Sequence, residues 1–131
     1  MITGAPTSKW TTLDRIVAIE PGQRGQAMRN VPNTLAIFDS HFPRFPVMPG
    51  VLMLGSLGAL AAKLLEEETG RKWRLAGGGQ IGFRHFVQPG DQMEITVELK
   101  ERSDTAATLS GEVKVDGKLV IRARQLRLEA T

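Results

Sequence analysis

Residues 51–70 read Val51-Leu52-Met53-Leu54-Gly55-Ser56-Leu57-Gly58-Ala59-Leu60-Ala61-Ala62-Lys63-Leu64-Leu65-Glu66-Glu67-Glu68-Thr69-Gly70. Apolar side chains at Val51, Leu52, Leu54, Leu57, Leu60, Ala61, Leu64 and Leu65 recur with helical spacing. Charge arrives only at Lys63 and in the run Glu66-Glu67-Glu68. The first turns are apolar nearly all round, which predicts a long helix buried on several sides. Gly70 supplies a residue at home in the left-handed conformation that ends a helix. Such a helix must be wrapped by something.

The flanking sequence supplies the wrapper. Leu13–Glu20 alternates charged and β-branched residues as a strand does, and Pro21-Gly22 then marks a turn into a second strand over Gly25–Val31. Asn30–Ile37 reads as loop, broken by Pro32-Asn33. After the helix, Arg74–Phe86, Met93–Arg102, Thr105–Val115 and Lys118–Glu129 all carry strand patterning. Asp116-Gly117, between Val113/Val115 and Leu119/Ile121, is a hairpin signal, since a type I′ turn needs positive φ at both central positions. Pro89-Gly90-Asp91 marks another turn, and Gly77-Gly78-Gly79 suits a strand bulge or the close approach of a neighbouring subunit. The fold class expected is α+β: one hot-dog domain, a long central helix wrapped by a curved antiparallel sheet. Residues 1–9 read as a flexible lead-in and 10–131 as the domain.

Composition narrows the chemistry. The 131 residues suit a single core. With 41% apolar and 24% charged residues the balance is that of an ordinary globular protein. There is no cysteine, which removes thiolate catalysis, disulfides, cysteine-ligated zinc and iron–sulfur clusters, and no tyrosine. His41 and His85 are the two imidazoles, so a multi-histidine metal centre is not expected. The net charge of +3 is mild and its cations are dispersed, which argues against nucleic acid. Met1–Lys9 lacks an apolar signal core, and the low-charge run Val47–Ala62 is broken by Pro49 and too short to span a membrane. A cytoplasmic protein is expected.

Chemistry concentrates in His41-Phe42-Pro43-Arg44-Phe45-Pro46-Val47-Met48-Pro49-Gly50-Val51-Leu52. Three prolines spaced three apart stiffen an extended loop and place an imidazole just ahead of the helix. The helix start is a cluster of unpaired N–H groups with partial positive charge. It can hold a thioester carbonyl and stabilise the oxygen as an enolate develops. A neutral histidine beside it has the right pKa to remove the α-proton.

This segment resembles the active-site motif of the 3-hydroxyacyl-[acyl-carrier-protein] dehydratases, roughly H-F-P-G-x-P-V-M-P-G-V-L-x-x-E. Asp14–Gly22 is similar to that family's first strand and turn, Phe83–Gln92 to its F-[KR]-x-P-V-x-P-G-D-Q segment, and Val115–Val120 to its late hairpin. The resemblance implies His41 as the catalytic base and the Gly50 N–H as the carbonyl donor, with Val51, Phe42 and Pro49 beside the substrate. It implies a dimer whose histidine faces an acidic residue on the neighbour's helix, fourteen residues after the histidine. Here that position is Gly55. A glycine cannot protonate a leaving hydroxyl, and loss of a general acid costs about 10²–10⁴-fold in rate.

Three readings of Gly55 follow. A related partner in a heterodimer supplies the carboxylate; a homodimer uses a relocated acid, for which Asp39 is the candidate, or a water; or the fold binds acyl chains as a non-catalytic or scaffolding subunit or a thioesterase. The implied work is β-hydroxyacyl thioester dehydration in fatty-acid or polyketide biosynthesis, with an acyl carrier protein as partner. No metal or redox cofactor is expected, the substrate riding on the carrier's phosphopantetheine. Plainer roles suit other residues: His85 at a surface or core edge, Arg44 in the loop, Phe38, Phe42 and Phe45 as core or tunnel wall, and Arg71, Lys72, Arg74 and Arg84 as solvated charges or a basic rim.

Overall fold

The computed structural model describes residues 13–31, 50–85, 87–88 and 90–131, with the side chains of 50–53 left aside. In chain order the elements are β1 (Arg15–Glu20), β2 (Arg24–Asn30), α1 (Gly50–Thr69), β3 (Trp73–Phe83), β4 (Gln92–Arg102), β5 (Ala106–Val115) and β6 (Lys118–Ala130). The six strands form one antiparallel sheet in the order β1-β2-β4-β5-β6-β3, leaving β1 and β3 as its edges.

Local chemistry accounts for the turns. Gln23 N–H donates to Glu20 O at 2.9 Å across Pro21-Gly22, with Gly22 at φ 78°. Proline's fixed φ followed by positive φ at glycine is the type II pattern. At the β5–β6 turn both Asp116 (φ 52°) and Gly117 (φ 77°) are left-handed, as the hairpin reading requires. Register shifts at Ile16/Ala18, Leu75/Gly77, Leu99/Glu101 and Leu109/Gly111 bend the strands and curl the sheet.

The concave face carries the core. Met93, Ile95 and Val97 of β4, Leu109 and Val113 of β5, and Ile121, Ala123, Leu126 and Leu128 of β6 are all buried. Against them lie Leu57, Leu60, Ala61, Leu64 and Leu65 of α1, each at 0% exposure. Burying one leucine contributes about 1.5–3 kcal/mol, so this helix face anchors the domain. Three glycines bring the layers together. A Cβ on Gly111 of β5 would stand 2.8 Å from Leu57 Cδ2, one on Gly58 of α1 3.0 Å from Leu75 Cδ2, and one on Gly25 of β2 3.4 Å from Leu60 Cδ1. The helix ends as expected: Gly70 has φ 72° and its N–H reaches Glu66 O at 2.8 Å. Thr69 Oγ1 donates to Leu65 O (2.8 Å) and accepts from the Trp73 indole (3.0 Å), joining the helix end to β3.

The sheet wraps one face of the helix as expected, and among the described residues Leu54, Gly55, Ala59 and Ala62 are half-buried and Lys63 and Glu67 exposed. One expectation needs correction. Strand β3 stops at Phe83 rather than Phe86, and His85 lies exposed on a bend instead of in a strand. The chain leaves the sheet there to bury Val87 and form the turn in which Asp91 Oδ2 accepts the Gln88 N–H at 2.8 Å. The glycine-run bulge is present, at Leu75/Gly77. Beyond it Arg127 Nη2 and Gln125 Oε1 lie 2.7 and 3.0 Å from where Cβ atoms on Gly77 and Gly79 would stand.

Candidate active site

Of the residues singled out from sequence, Asp39, His41, Phe42 and Pro49 lie outside the described residues, as do Phe38, Arg44 and Phe45. Gly50 opens α1 and Val51 follows it. The Gly50 N–H is therefore among the amides that a helix's own ladder leaves unpaired, the property that suits it to a carbonyl oxygen. Gly55 sits in the second turn, half-buried, on the stripe that the sheet leaves uncovered. The first turn of α1 holds no acidic residue, and the first acid along the helix is Glu66.

One charged residue near this part of the helix was missed from sequence. Arg29 lies on β2 between Ala27 and Val31, on the strand face that meets the helix, and is 3% exposed. Its Nη1 donates to Ser56 Oγ at 2.9 Å, and Ser56 is wholly buried beside Gly55. Burial pushes the guanidinium below its ordinary value, and the negative charge of Asp14 opposes that shift. Asp14 is held in turn, its Oδ2 accepting the Asn30 N–H at 2.6 Å. The available signal was strand parity: position 29 shares a face with Gly25, Ala27 and Val31.

The rest of the described surface offers less. A concavity of about 400 Å³ lies on the sheet face away from α1, lined by polar side chains such as Gln26, Thr96, Glu112 and Arg122. Arg122 Nη2 is 3.8 Å from Glu112 Oε2 there. Such a mixed-charge, solvent-facing saddle lacks the apolar wall an acyl chain needs. Of the four rim cations, Arg71 Nη1 donates to Asp104 O (2.7 Å) and Arg74 pairs with Glu129 (2.9 Å), all at exposed positions. Among the described residues no group of three or more His, Cys, Asp or Glu could hold a metal ion. Nor is any described helix long and apolar enough to cross a membrane.

One helix laid in the palm of a single curled antiparallel sheet defines a hot-dog domain. The chain belongs to the FabA-like family: a family model described as FabA-like domain matches residues 5–124. The 3-hydroxyacyl-[acyl-carrier-protein] dehydratase FabZ of Bacillus velezensis is 40% identical over 114 residues, covering 85% of this chain and 81% of that protein. FabZ of Bacillus subtilis is 39% identical over 111 residues, covering 82% and 79%. Among solved structures, the dehydratase heterocomplex ApeI:P from Xenorhabdus doucetiae aligns with TM-score 0.77 at 11% identity, covering 96% of this chain and 86% of that one. A hypothetical thioesterase with coenzyme A from Streptococcus pneumoniae aligns with TM-score 0.68 at 14% identity, covering 89% and 84%. At those identities the two structures speak for the fold.

Proposed function

We propose that this chain dehydrates 3-hydroxyacyl thioesters in fatty-acid biosynthesis, as a hydro-lyase whose substrate is delivered on the phosphopantetheine arm of an acyl carrier protein. The observation that carries the reading is identity near 40% to dehydratases named FabZ over most of the chain. Polyketide assembly presents the same chemistry and remains within the reading. The enzyme is placed in the cytoplasm and needs neither metal nor redox cofactor, because proton transfer and water loss are acid–base steps.

In this mechanism His41 removes the C2 proton, and the C–H electron pair moves into the thioester carbonyl. The Gly50 N–H and the partial charge of the helix start stabilise the developing enolate oxygen. Collapse of the enolate breaks the C3–O bond, and the departing hydroxide takes a proton to leave as water. That proton has no donor at Gly55. We assign it to the carboxyl group of a related hot-dog chain paired with this one. Two observations support a paired assembly. Among the described residues edge strand β3 has no strand beyond it and exposes Leu75 and Phe83 at 37% and 55%, and the Leu54, Gly55, Ala59 and Ala62 stripe is half-buried. A chain of the dehydratase heterocomplex ApeI:P shares this fold, a precedent for such a chain within a heterocomplex. Asp39 as a relocated acid in a homodimer is the other assignment.

The test is a dehydration assay on 3-hydroxyacyl-carrier protein, with the purified chain alone and mixed with a homologue that carries the helix carboxylate. Turnover in the mixture and little in either chain alone supports the shared site. Turnover by the chain alone that disappears in Asp39→Asn supports the homodimer. No turnover in either arrangement refutes the dehydratase reading.

A further inference from the structure

Edge strand β3 presents a charge that the chain itself does not answer. Residues paired across neighbouring strands share a face. The register with β6 therefore sets Arg74, Gly77, Gly79 and Gly82 on the outer side, opposite Glu129, Arg127, Gln125 and Arg122. The inner side carries Leu75, Ile81 and Phe83, opposite the buried Leu128, Ala123 and Ile121. With no side chain at Gly77, Arg127 lies across the edge strand: its Nη2 and Nε stand 2.7 and 3.3 Å from where a Cβ on Gly77 would be. Gln125 Oε1 lies over Gly79 in the same way, at 3.0 Å. Arg124 joins Arg122 on the outer side, where both line the polar concavity of the sheet. Among the described residues the one carboxylate along the paired stretch of β3 and β6 is Glu129, and Arg74 takes it at 2.9 Å. Arg122 reaches only Glu112 of β5, at 3.8 Å. Among the described residues neither Arg124 nor Arg127 makes a hydrogen bond or an ion pair.

We propose that this edge selects an unlike chain, one whose facing strand bears carboxylates on its outer side, and that Arg127 is the residue that selects it. The inference rests on the shared-site reading and deepens it by giving the partner's chemistry. A strand added to β3 runs about 4.8 Å away. A carboxylate above that strand comes within ion-pair reach of a guanidinium that already lies over Gly77. A second copy of this chain cannot supply one. Whatever its register, the outer side of its β3 offers Arg74 and three glycines, and behind them stand Arg122, Arg124 and Arg127 again. Cations would meet cations, and like charges set against each other suppress the wrong partner. Leu75 and Phe83 on the inner side serve either pairing alike, so charge decides between them. The other edge, β1, has six residues against the eleven of β3, and short edges pair poorly.

The experiment makes the partner from the chain itself. Gln125→Glu/Arg127→Glu changes two exposed residues, which leaves the fold in place, and puts carboxylates where the amide and the guanidinium lie. Gln125→Glu alone, which is isosteric, repeats the test should the double variant fail to fold. Native mass spectrometry and sedimentation follow the isotope-labelled wild type, the acidic-edged copy and their equimolar mixture at low and high salt. Hydrogen exchange over residues 73–83 reports whether β3 is the edge that pairs. At low salt the mixed pair is expected to form with an association constant about tenfold above that of the wild type with itself. High salt should lower that constant and leave or raise wild-type self-pairing, since it screens attraction in one and repulsion in the other. Arg127→Ala in the labelled chain should remove most of the preference, and Arg127→Lys should keep most of it. Wild type that pairs with itself as tightly as with the acidic-edged copy overturns the proposal. So does a preference undiminished in Arg127→Ala, a mixed pair whose β3 amides stay unprotected, or the absence of pairing in every mixture. The readout is mass and amide protection, not turnover, so failure here leaves the dehydratase reading standing.

Discussion

Replacing Gly111 by alanine tests how closely α1 is seated on the sheet. The new Cβ would stand 2.8 Å from Leu57 Cδ2, 3.1 Å from Leu126 Cδ1 and 3.3 Å from Val97 Cγ1. None of the three can swing into solvent, since Leu57 and Val97 are 0% and Leu126 1% exposed. The helix must lift by several tenths of an ångström or a leucine must leave its rotamer, and overpacking of this kind costs about 1–3 kcal/mol. At about 3–5 °C per kcal/mol for a domain of this size, a loss of about 2 kcal/mol lowers Tm by about 6–10 °C. Gly82→Ala is the control: it lies in β3, needs no positive φ and meets nothing within 4 Å, so stability should hold or rise slightly. The assay is urea and thermal unfolding at fixed protein concentration, because association shifts apparent stability. Leu57 follows Ser56 and Gly55 directly, so dehydration should fall in Gly111→Ala beyond what the unfolded fraction explains. A Gly111→Ala protein as stable as the wild type would refute the claimed closeness of helix and strand.

Other outcomes follow from the same geometry and from the proposed chemistry. His41→Ala should lower dehydration by about 10²–10⁴-fold while the fold persists by circular dichroism, and undiminished turnover would remove His41 from the mechanism. Gly55→Glu should raise dehydration by the chain alone by about 10²-fold, measured as loss of 3-hydroxyacyl-carrier protein; no gain would show that position 55 is not where the acid is wanted. Thr69→Val strands the indole N–H of Trp73, 5% exposed and bonded to Thr69 at 3.0 Å, and should cost about 1–3 kcal/mol in urea unfolding, with Thr69→Ser recovering most of it. Arg74→Ala breaks a pair whose side chains are 63% and 53% exposed, so Tm should hardly move.

Much of the architecture was legible because it rests on local chemistry. The Asp116-Gly117 hairpin, the Pro21-Gly22 turn and the Gly70 helix stop each depend on one or two residues whose φ preferences are plain from their identity. Where β3 ends was not legible. Arg84 and His85 carry strand-like patterning, and only the need to bury Val87 and close the turn at Asp91 takes them out of the sheet.

The site divides along the same line. Gly50 and Gly55 take their places from a contiguous motif and a helix, so counting along the chain was enough. Arg29 and Ser56 are 27 residues apart and meet only because β2 has one register and not its neighbour. Hydropathy over the whole strand turns the Gly25, Ala27 and Val31 face inward and Arg24, Gln26 and Asn30 outward, so Arg29 goes in with its neighbours, and a slip of one residue would reverse the faces. Several contacts forbid the slip. Asn30 N–H is tied to Asp14, Gly25 lets Leu60 approach, and the β2–β4 ladder sets Ala27 opposite Ile95 and Arg29 opposite Met93. The strand's net preference therefore carries a cation into the core against that one residue's own preference, a conflict between local and global choice that its neighbours on the buried face decide.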